Sequence, residues 1–275
     1  MTGIPALTLN DGHALPQVGY GTWPMSDAEA GPAVAEALRA GYRLIDTAAA
    51  YGNEAGVGRG IRASGVPRED VVITTKLRGP DHGYDSALRA FDASAKRLGV
   101  DHVDLYLIHW PLPMKDLYVD SWRAFVRLKE EGRVRSIGVS NFQPAHIERL
   151  ERETGVLPAA NQVELHPDFS QAALRAWHAQ KGIAIESWSP LGRGGLLHDP
   201  VLERLAAKHG RTVAQVVLRW HVQLGLVTIP KSQNPARIRQ NLALFDFALD
   251  ADDLAAIAAL DGEHRQGGHP DTWIE

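Results

Sequence analysis

Cysteine is absent from the 275 residues, which excludes a disulfide framework, a thiolate nucleophile and a cysteine-ligated zinc. No apolar run approaches the length of a membrane-spanning helix. The opening Met1-Thr2-Gly3-Ile4-Pro5-Ala6-Leu7 lacks the basic and long apolar regions of a signal peptide, so a cytoplasmic protein is expected. A large excess of either charge is lacking as well. A formal net charge of -4 gives no reason to expect nucleic acid or an anionic membrane as partner. The 12 histidines include no His-Glu-x-x-His and no convincing ligand spacing, so no metal is expected.

What remains has the composition of a globule, 44% hydrophobic and 23% charged. The length exceeds that of most single domains but suits an α/β barrel. No linker, low-complexity tract or charge block divides the chain, and residues 1–275 are expected to form one domain. Leu7 to Leu15 reads as a small hairpin turning at Asp11-Gly12. Thereafter β-prone runs begin near Val18, Arg43, Val71, Val103, Val134, Ala160, Ile183 and Leu226. Helical patterns alternate with them, among them Ala28–Ala40, Asp85–Leu98, Asp120–Glu131, Pro144–Glu153, Ser170–Lys181 and Val213–Leu224. Gly41, Gly99, Gly132, Gly155 and Gly182 stand just after helices, as stop signals do.

Eight such units predict an α/β fold, a (β/α)8 TIM barrel with a short N-terminal hairpin and an extra C-terminal helix and tail. A doubly wound sheet is the rival. It would gather polar residues at one switch point, whereas here they follow nearly every strand. Gly56-Val57-Gly58-Arg59-Gly60 does not have the Gly-x-Gly-x-x-Gly spacing, and Asn53-Glu54 suggests a helix already under way. Gly192-Arg193-Gly194-Gly195 is not followed by Lys-Ser/Thr, so it reads as a loop and not as a P-loop.

The chemistry gathers at strand ends. Asp46, Lys76 and His109 close the apolar runs Leu44-Ile45-Asp46, Val71 to Lys76 and Leu105 to His109, with Tyr51 in the loop after the first. Each alone has a plain reading: a turn cap, a solvated lysine, a loop aromatic, a core histidine. Together, an acid, a phenol, an amine and an imidazole on one catalytic rim form a proton-transfer site. Such a set fits reduction of a carbonyl, where hydride reaches carbon and oxygen needs a proton.

Leu44-Ile45-Asp46-Thr47-Ala48, Tyr51-Gly52-Asn53-Glu54, Thr75-Lys76-Leu77, Asp104 to Pro111, Ile137-Gly138-Val139-Ser140-Asn141-Phe142, Asn161 to Pro167 and Pro230-Lys231-Ser232 span essentially the whole chain. In these motifs the sequence resembles the aldo-keto reductase superfamily, and most nearly the bacterial 2,5-diketogluconate reductases and related NADPH-dependent dicarbonyl reductases. Gly19-Tyr20-Gly21, Trp188 before Ser189-Pro190-Leu191, and Leu242–Leu249 carry the closer match.

The resemblance implies that Tyr51 is the general acid, that Lys76 and Asp46 tune it, and that His109 orients the carbonyl. A free tyrosine has a pKa near 10. An ammonium about 4 Å away at an effective dielectric of 20 contributes about 4 kcal/mol, or roughly three pKa units, toward phenolate. Burial opposes this, so a smaller net lowering is expected. The resemblance further implies NADPH as cofactor, with Ser140, Asn141 and Gln162 on its carboxamide and Trp188 stacked on the ring. Ser189 and Leu191 follow in the same segment. Lys231, Ser232, Arg237, Gln240 and Asn241 correspond to the adenosine 2′-phosphate and adenine segment. Trp23, Arg78, Trp110 and Trp273 are the candidate substrate contacts, although the tail holding Trp273 could instead be a loose end. Two positions depart from the pattern: many relatives carry glutamate at Gln240, and close relatives carry tryptophan at Arg78.

The expected activity is NADPH-dependent reduction of aldehydes or activated ketones, α-dicarbonyls and keto-sugars above all, by a monomer whose partner is the small-molecule carbonyl substrate. A cofactor-sensing regulatory protein on the same fold is the rival from another class, and the intact four-residue site argues against it. A barrel lyase or hydrolase would have no use for Ser140, Asn141, Gln162 and Trp188.

Overall fold

The computed structural model describes residues 3–274. A hairpin of β1 (Ala6–Thr8) and β2 (Ala14–Pro16) comes first, with Leu7 opposite Leu15. Gly12, at φ 88°, makes its turn in a region that glycine enters without steric cost. Eight strands follow, each parallel to its neighbours: β3 (Tyr20–Gly21), β4 (Leu44–Asp46), β5 (Val72–Leu77), β6 (Val103–Ile108), β7 (Val134–Ser140), β8 (Ala160–Glu164), β9 (Ala184–Trp188) and β10 (Val227–Thr228). Val18 bridges in parallel to Thr228, and Gly19 N–H donates to the Thr228 carbonyl at 2.9 Å. These bonds join the first strand to the last and close the sheet into a barrel.

Helices cover the outside: α1 (Asp27–Ala40), α2 (Glu54–Ser64), α3 (Tyr84–Leu98), α4 (Tyr118–Glu130), α5 (Pro144–Thr154), α6 (Ala172–Lys181), α7 (Pro200–His209) and α8 (Val213–Gln223). Their ends obey the local signals. Ser26 and Glu29 form a reciprocal capping box at the start of α1, and Gly41 in the left-handed region ends it. Val34, Leu38, Phe91, Trp122 and Phe125 pack inward from these helices onto Ile45, Ile73 and Tyr106. Inside the ring, Leu44, Leu105, Leu107, Ala160 and Val227 cluster with the hairpin residues Leu9 and Leu15. The hairpin therefore plugs the end where the strands begin and leaves the other end open for a site. Two short helices, α9 (Pro235–Gln240) and α10 (Ala251–Ala258), complete the chain before its tail. Among the described residues no helix is long and apolar enough to cross a membrane.

Candidate active site

Parallel pairing brings the strand ends to one rim. Asp46 ends β4, Lys76 is the penultimate residue of β5, His109 follows β6, Ser140 ends β7 and Trp188 ends β9. Tyr51 closes a single 3-10 turn, Ala49–Tyr51, that stops at Gly52 with φ 67°. Asn53 holds this turn to the barrel. Its Oδ1 accepts from Thr47 Oγ1 at 2.6 Å, while its Nδ2 donates to the carbonyls of Thr22 and Met25. Asn53 thus acts through the loop and makes no side-chain cap on α2.

Lys76 is fully buried. Its Nζ donates to Asp46 Oδ1 at 2.7 Å and Oδ2 at 2.8 Å, to the Thr47 carbonyl at 2.9 Å and to the Tyr51 hydroxyl at 3.3 Å. Three protons thus serve three partners: a carboxylate, a carbonyl and a phenol. The His109 ring stands edge-on to Tyr51, with centroids 5.7 Å apart. Burial pushes the Tyr51 phenol above its usual value; the Lys76 ammonium pulls it down, and Asp46 and Glu186 push it up again. The net direction is upward, contrary to the small net lowering expected, because burial outweighs the ammonium and two carboxyls add to it. Burial would lower the Lys76 amine, but Asp46, Tyr51 and Glu186 together carry it above its ordinary value.

These groups open onto a cavity of about 900 Å³. Its walls include Tyr51, His109, Ser140, Asn141, Gln162 and Trp188, with Ser189 and Leu191 beside them and Lys231 at one side. Asn141 Nδ2 donates to the His109 carbonyl at 3.0 Å and to Ser140 Oγ at 3.1 Å, while Asn141 Oδ1 accepts from Trp188 Nε1 at 2.8 Å. Asn141 (φ 62°) and Ser189 (φ 50°) both sit in the left-handed region at this rim. Backbone strain of that kind concentrates at functional sites. Ser232 lies beside the cavity and accepts from the Tyr20 hydroxyl through its carbonyl. Arg237 and Gln240 are exposed on α9, and Asn241 is buried at its end.

Of the candidate substrate contacts, Trp23 lines the cavity and is exposed, while Trp110 stacks on Trp273 with ring centroids 5.0 Å apart. The structure does not bring Arg78 to the cavity. The strand ends at Leu77, and Arg78 turns outward to pair with Asp81 at 2.7 Å.

The tail, expected at the pocket through Trp273, brings further lining groups with it, and Arg193 adds one more. Arg193 reaches over the Trp23 ring, 5.8 Å from its centroid. Gln266, Gly267 and Gly268 of the tail form a wall. The tail is docked by Glu164, whose Oε1 accepts from Gln266 N–H at 2.6 Å and whose Oε2 accepts from Gly267 N–H at 2.8 Å. A Cβ at Gly267 would overlap the Trp188 ring, which makes glycine the residue that fits there. These contacts join residues about a hundred positions apart in sequence, so no local signal marks them.

Among known proteins, the sequence pattern of the aldo/keto reductase family matches residues 17–262. The chain belongs to that family. An aldo-keto reductase of Mycolicibacterium smegmatis is 56% identical over 269 residues, 98% of each chain. The methylglyoxal reductase DkgA of Salmonella typhimurium is 49% identical over 275 residues, 99% of each chain. The fold agrees with that of this aldo-keto reductase's relatives in the crystal. A mutant of Gox0644 in complex with NADPH superposes with a TM-score of 0.96 at 48% identity, covering 99% of this chain and 100% of that one. The aldo-keto reductase described here is thus an oxidoreductase, with the barrel its family shares.

Proposed function

We propose that this chain is an NADPH-dependent reductase of aldehydes and activated ketones, α-dicarbonyls and keto-sugars foremost, with Tyr51 as general acid. One observation carries the reading. Lys76 Nζ donates to the Tyr51 hydroxyl, so the phenol's own proton is left for an acceptor in the cavity. Lys76 stays charged against Asp46, and its charge stabilises the phenolate that forms as Tyr51 gives up its proton. His109, whose ring stands against Tyr51, supplies an imidazole N–H to the same carbonyl oxygen and orients it.

The cavity suits a nicotinamide cofactor. Ser140, Asn141 and Gln162 supply a hydroxyl and two amides for a carboxamide, and Trp188 supplies a flat ring at the cavity wall. Lys231, with Ser232 and Arg237 beyond it, supplies cationic and hydroxyl groups for a phosphate at the other end; Gln240 and Asn241 flank that segment. When bound, NADPH supplies a hydride to the carbonyl carbon. The relatives support the same reading, since DkgA is a methylglyoxal reductase and methylglyoxal is an α-dicarbonyl. Trp23, Trp110 and Trp273 give the substrate end an aromatic wall.

The test is direct. Protein, NADPH and a panel of dicarbonyls, keto-sugars and simple aldehydes are mixed, and loss of reduced-nicotinamide absorbance is followed. Turnover with dicarbonyls is expected, and no turnover with any carbonyl would refute the assignment.

A further inference from the structure

A second carboxyl lies inside the barrel behind the Asp46–Lys76 pair. Glu186, the third residue of β9, is fully buried. Its register partners are Gln162 on β8 and Val227 on β10. Val227 belongs to the cluster inside the ring, and residues in register share a face, so Glu186 points inward. Gln162 Nε2 donates to Asp46 Oδ2 and to Glu186 Oε2, each at 2.8 Å. One amide therefore bridges two carboxyls.

The charged and titratable groups acting on Glu186 or responding to it are Asp46 from β4, Lys76 from β5 and Tyr51 from the turn after β4. Among its register neighbours, β8 contributes the neutral Gln162 and β10 the apolar Val227. The Asp46–Lys76 pair is already neutral. A second carboxylate would leave a buried negative charge without its own cation, a costly arrangement. Glu186 Oε1 has no hydrogen-bond partner among the described residues. Burial first, and Asp46 second, push the Glu186 acid up to about 8, so it holds its proton at neutral pH.

We propose that Glu186 is a positioning residue for the reductase chemistry: as a neutral acid it fixes the Gln162 amide against Asp46, and as a carboxylate it holds the proton on Tyr51. The inference rests on Tyr51 being the proton donor. With both amide protons engaged below, Gln162 has only its Oε1 to offer a ligand in the cavity. When Glu186 ionises, its charge acts on Tyr51 and Lys76 in the same direction, and each keeps its proton more firmly. A tyrosine that keeps its proton at alkaline pH continues to serve as an acid toward a carbonyl oxygen. It is a poor base for taking the proton of an alcohol. The buried carboxyl thereby raises the pH at which Tyr51 passes from acid to base.

Glu186→Gln keeps the shape and the acceptor and removes only the ionisable group. In that variant the alkaline limb of kcat/KM for reduction and the acid limb of kcat/KM for alcohol oxidation are both expected to fall by about one pH unit. NADPH affinity, read by calorimetry, stays within about twofold of wild type because Gln162 keeps its acceptor. Glu186→Leu removes the acceptor too, and should add about a fivefold loss of NADPH affinity. In the cofactor-free wild type, infrared difference spectra from neutral to alkaline pH should lose a carboxylic-acid carbonyl band that Glu186→Gln never shows. An unshifted limb in Glu186→Gln, with Tyr51→Phe inactive, overturns this inference and leaves Tyr51 as the acid. An active Tyr51→Phe overturns both. Absence of the carbonyl band from the wild type at neutral pH overturns the inference whether or not the variants fold.

Discussion

Trp188 donates its indole N–H to Asn141 Oδ1 at 2.8 Å, so the aromatic platform of the cavity and an amide of its rim are tied to one another. The bond fixes the indole plane and fixes which face of the Asn141 amide is turned outward. Trp188→Phe keeps a ring but loses that bond, and should weaken NADPH by a few-fold, as expected for one neutral hydrogen bond. Trp188→Ala removes the ring as well and should weaken NADPH further. Calorimetric titration of both variants decides the matter. Equal losses would mean that the ring face contributes nothing.

Tyr51→Phe should retain NADPH binding while reduction falls about a hundredfold to ten-thousandfold, since only the proton donor is removed. Single-turnover kinetics with saturating NADPH measure this, and a near wild-type rate would remove Tyr51 from its role.

Lys76→Met should lose activity and also stability. It leaves the Asp46 carboxylate buried and without its cation, which costs about 3–5 kcal/mol in comparable cases. Urea unfolding reads the loss. A variant as stable as wild type would show that water or a side-chain movement replaces the ammonium.

Cofactor choice should depend on Lys231 and Arg237. Charge-assisted hydrogen bonds contribute about 1.5–3 kcal/mol each, so two cations could favour NADPH over NADH by more than about a hundredfold before solvent screening. Both residues are exposed, so the preference should shrink as salt is raised. Lys231→Gly with Arg237→His should weaken NADPH far more than NADH. Equal affinity of the wild-type protein for the two cofactors at low salt would show that the segment does not read the 2′-phosphate.

Glu186 also gives stability a pH dependence of definite sign. Below its ordinary value of 4.5 the acid is protonated in both the folded and the unfolded chain, and no difference arises. Between 4.5 and about 8 the unfolded chain releases the proton and the folded chain keeps it, so folding is disfavoured as pH rises. Each pH unit across that window costs up to about 1.4 kcal/mol. Glu186→Gln should therefore match wild type in Tm near the acid end and exceed it increasingly toward the alkaline end. A constant difference across the window would rule out a titrating Glu186.

The barrel was legible from the sequence because apolar runs and glycine stops are local signals, and each falls within a few residues of the element it announces. The rim positions of Asp46, Lys76 and His109 were legible for a related reason. A polar residue at the end of an apolar strand has one place to go in a barrel. Arg78 was not legible, because its direction depends on whether the strand continues past Leu77, and the turn at Gly79-Pro80-Asp81 takes it outward. Glu186 reads as a plain strand residue until the register sets it beside Gln162. Glu164 pairs locally with His166, but its two tail partners show only when the tail returns to meet it.

That returning tail separates two duties within one cavity. Asp46, Tyr51, Lys76 and His109 sit at strand ends and on a turn pinned by Asn53, whereas Gln266, Gly267, Gly268 and Trp273 belong to a segment that meets the barrel through Glu164, the Gly192 carbonyl, His146 and the Trp110 ring. On the proposed function, the wall that would meet the substrate is in this sense a replaceable part. Exchanging residues 266–273 for those of a relative that keeps the glutamate should re-specify which carbonyl is accepted, while the chemistry beneath is inherited unchanged.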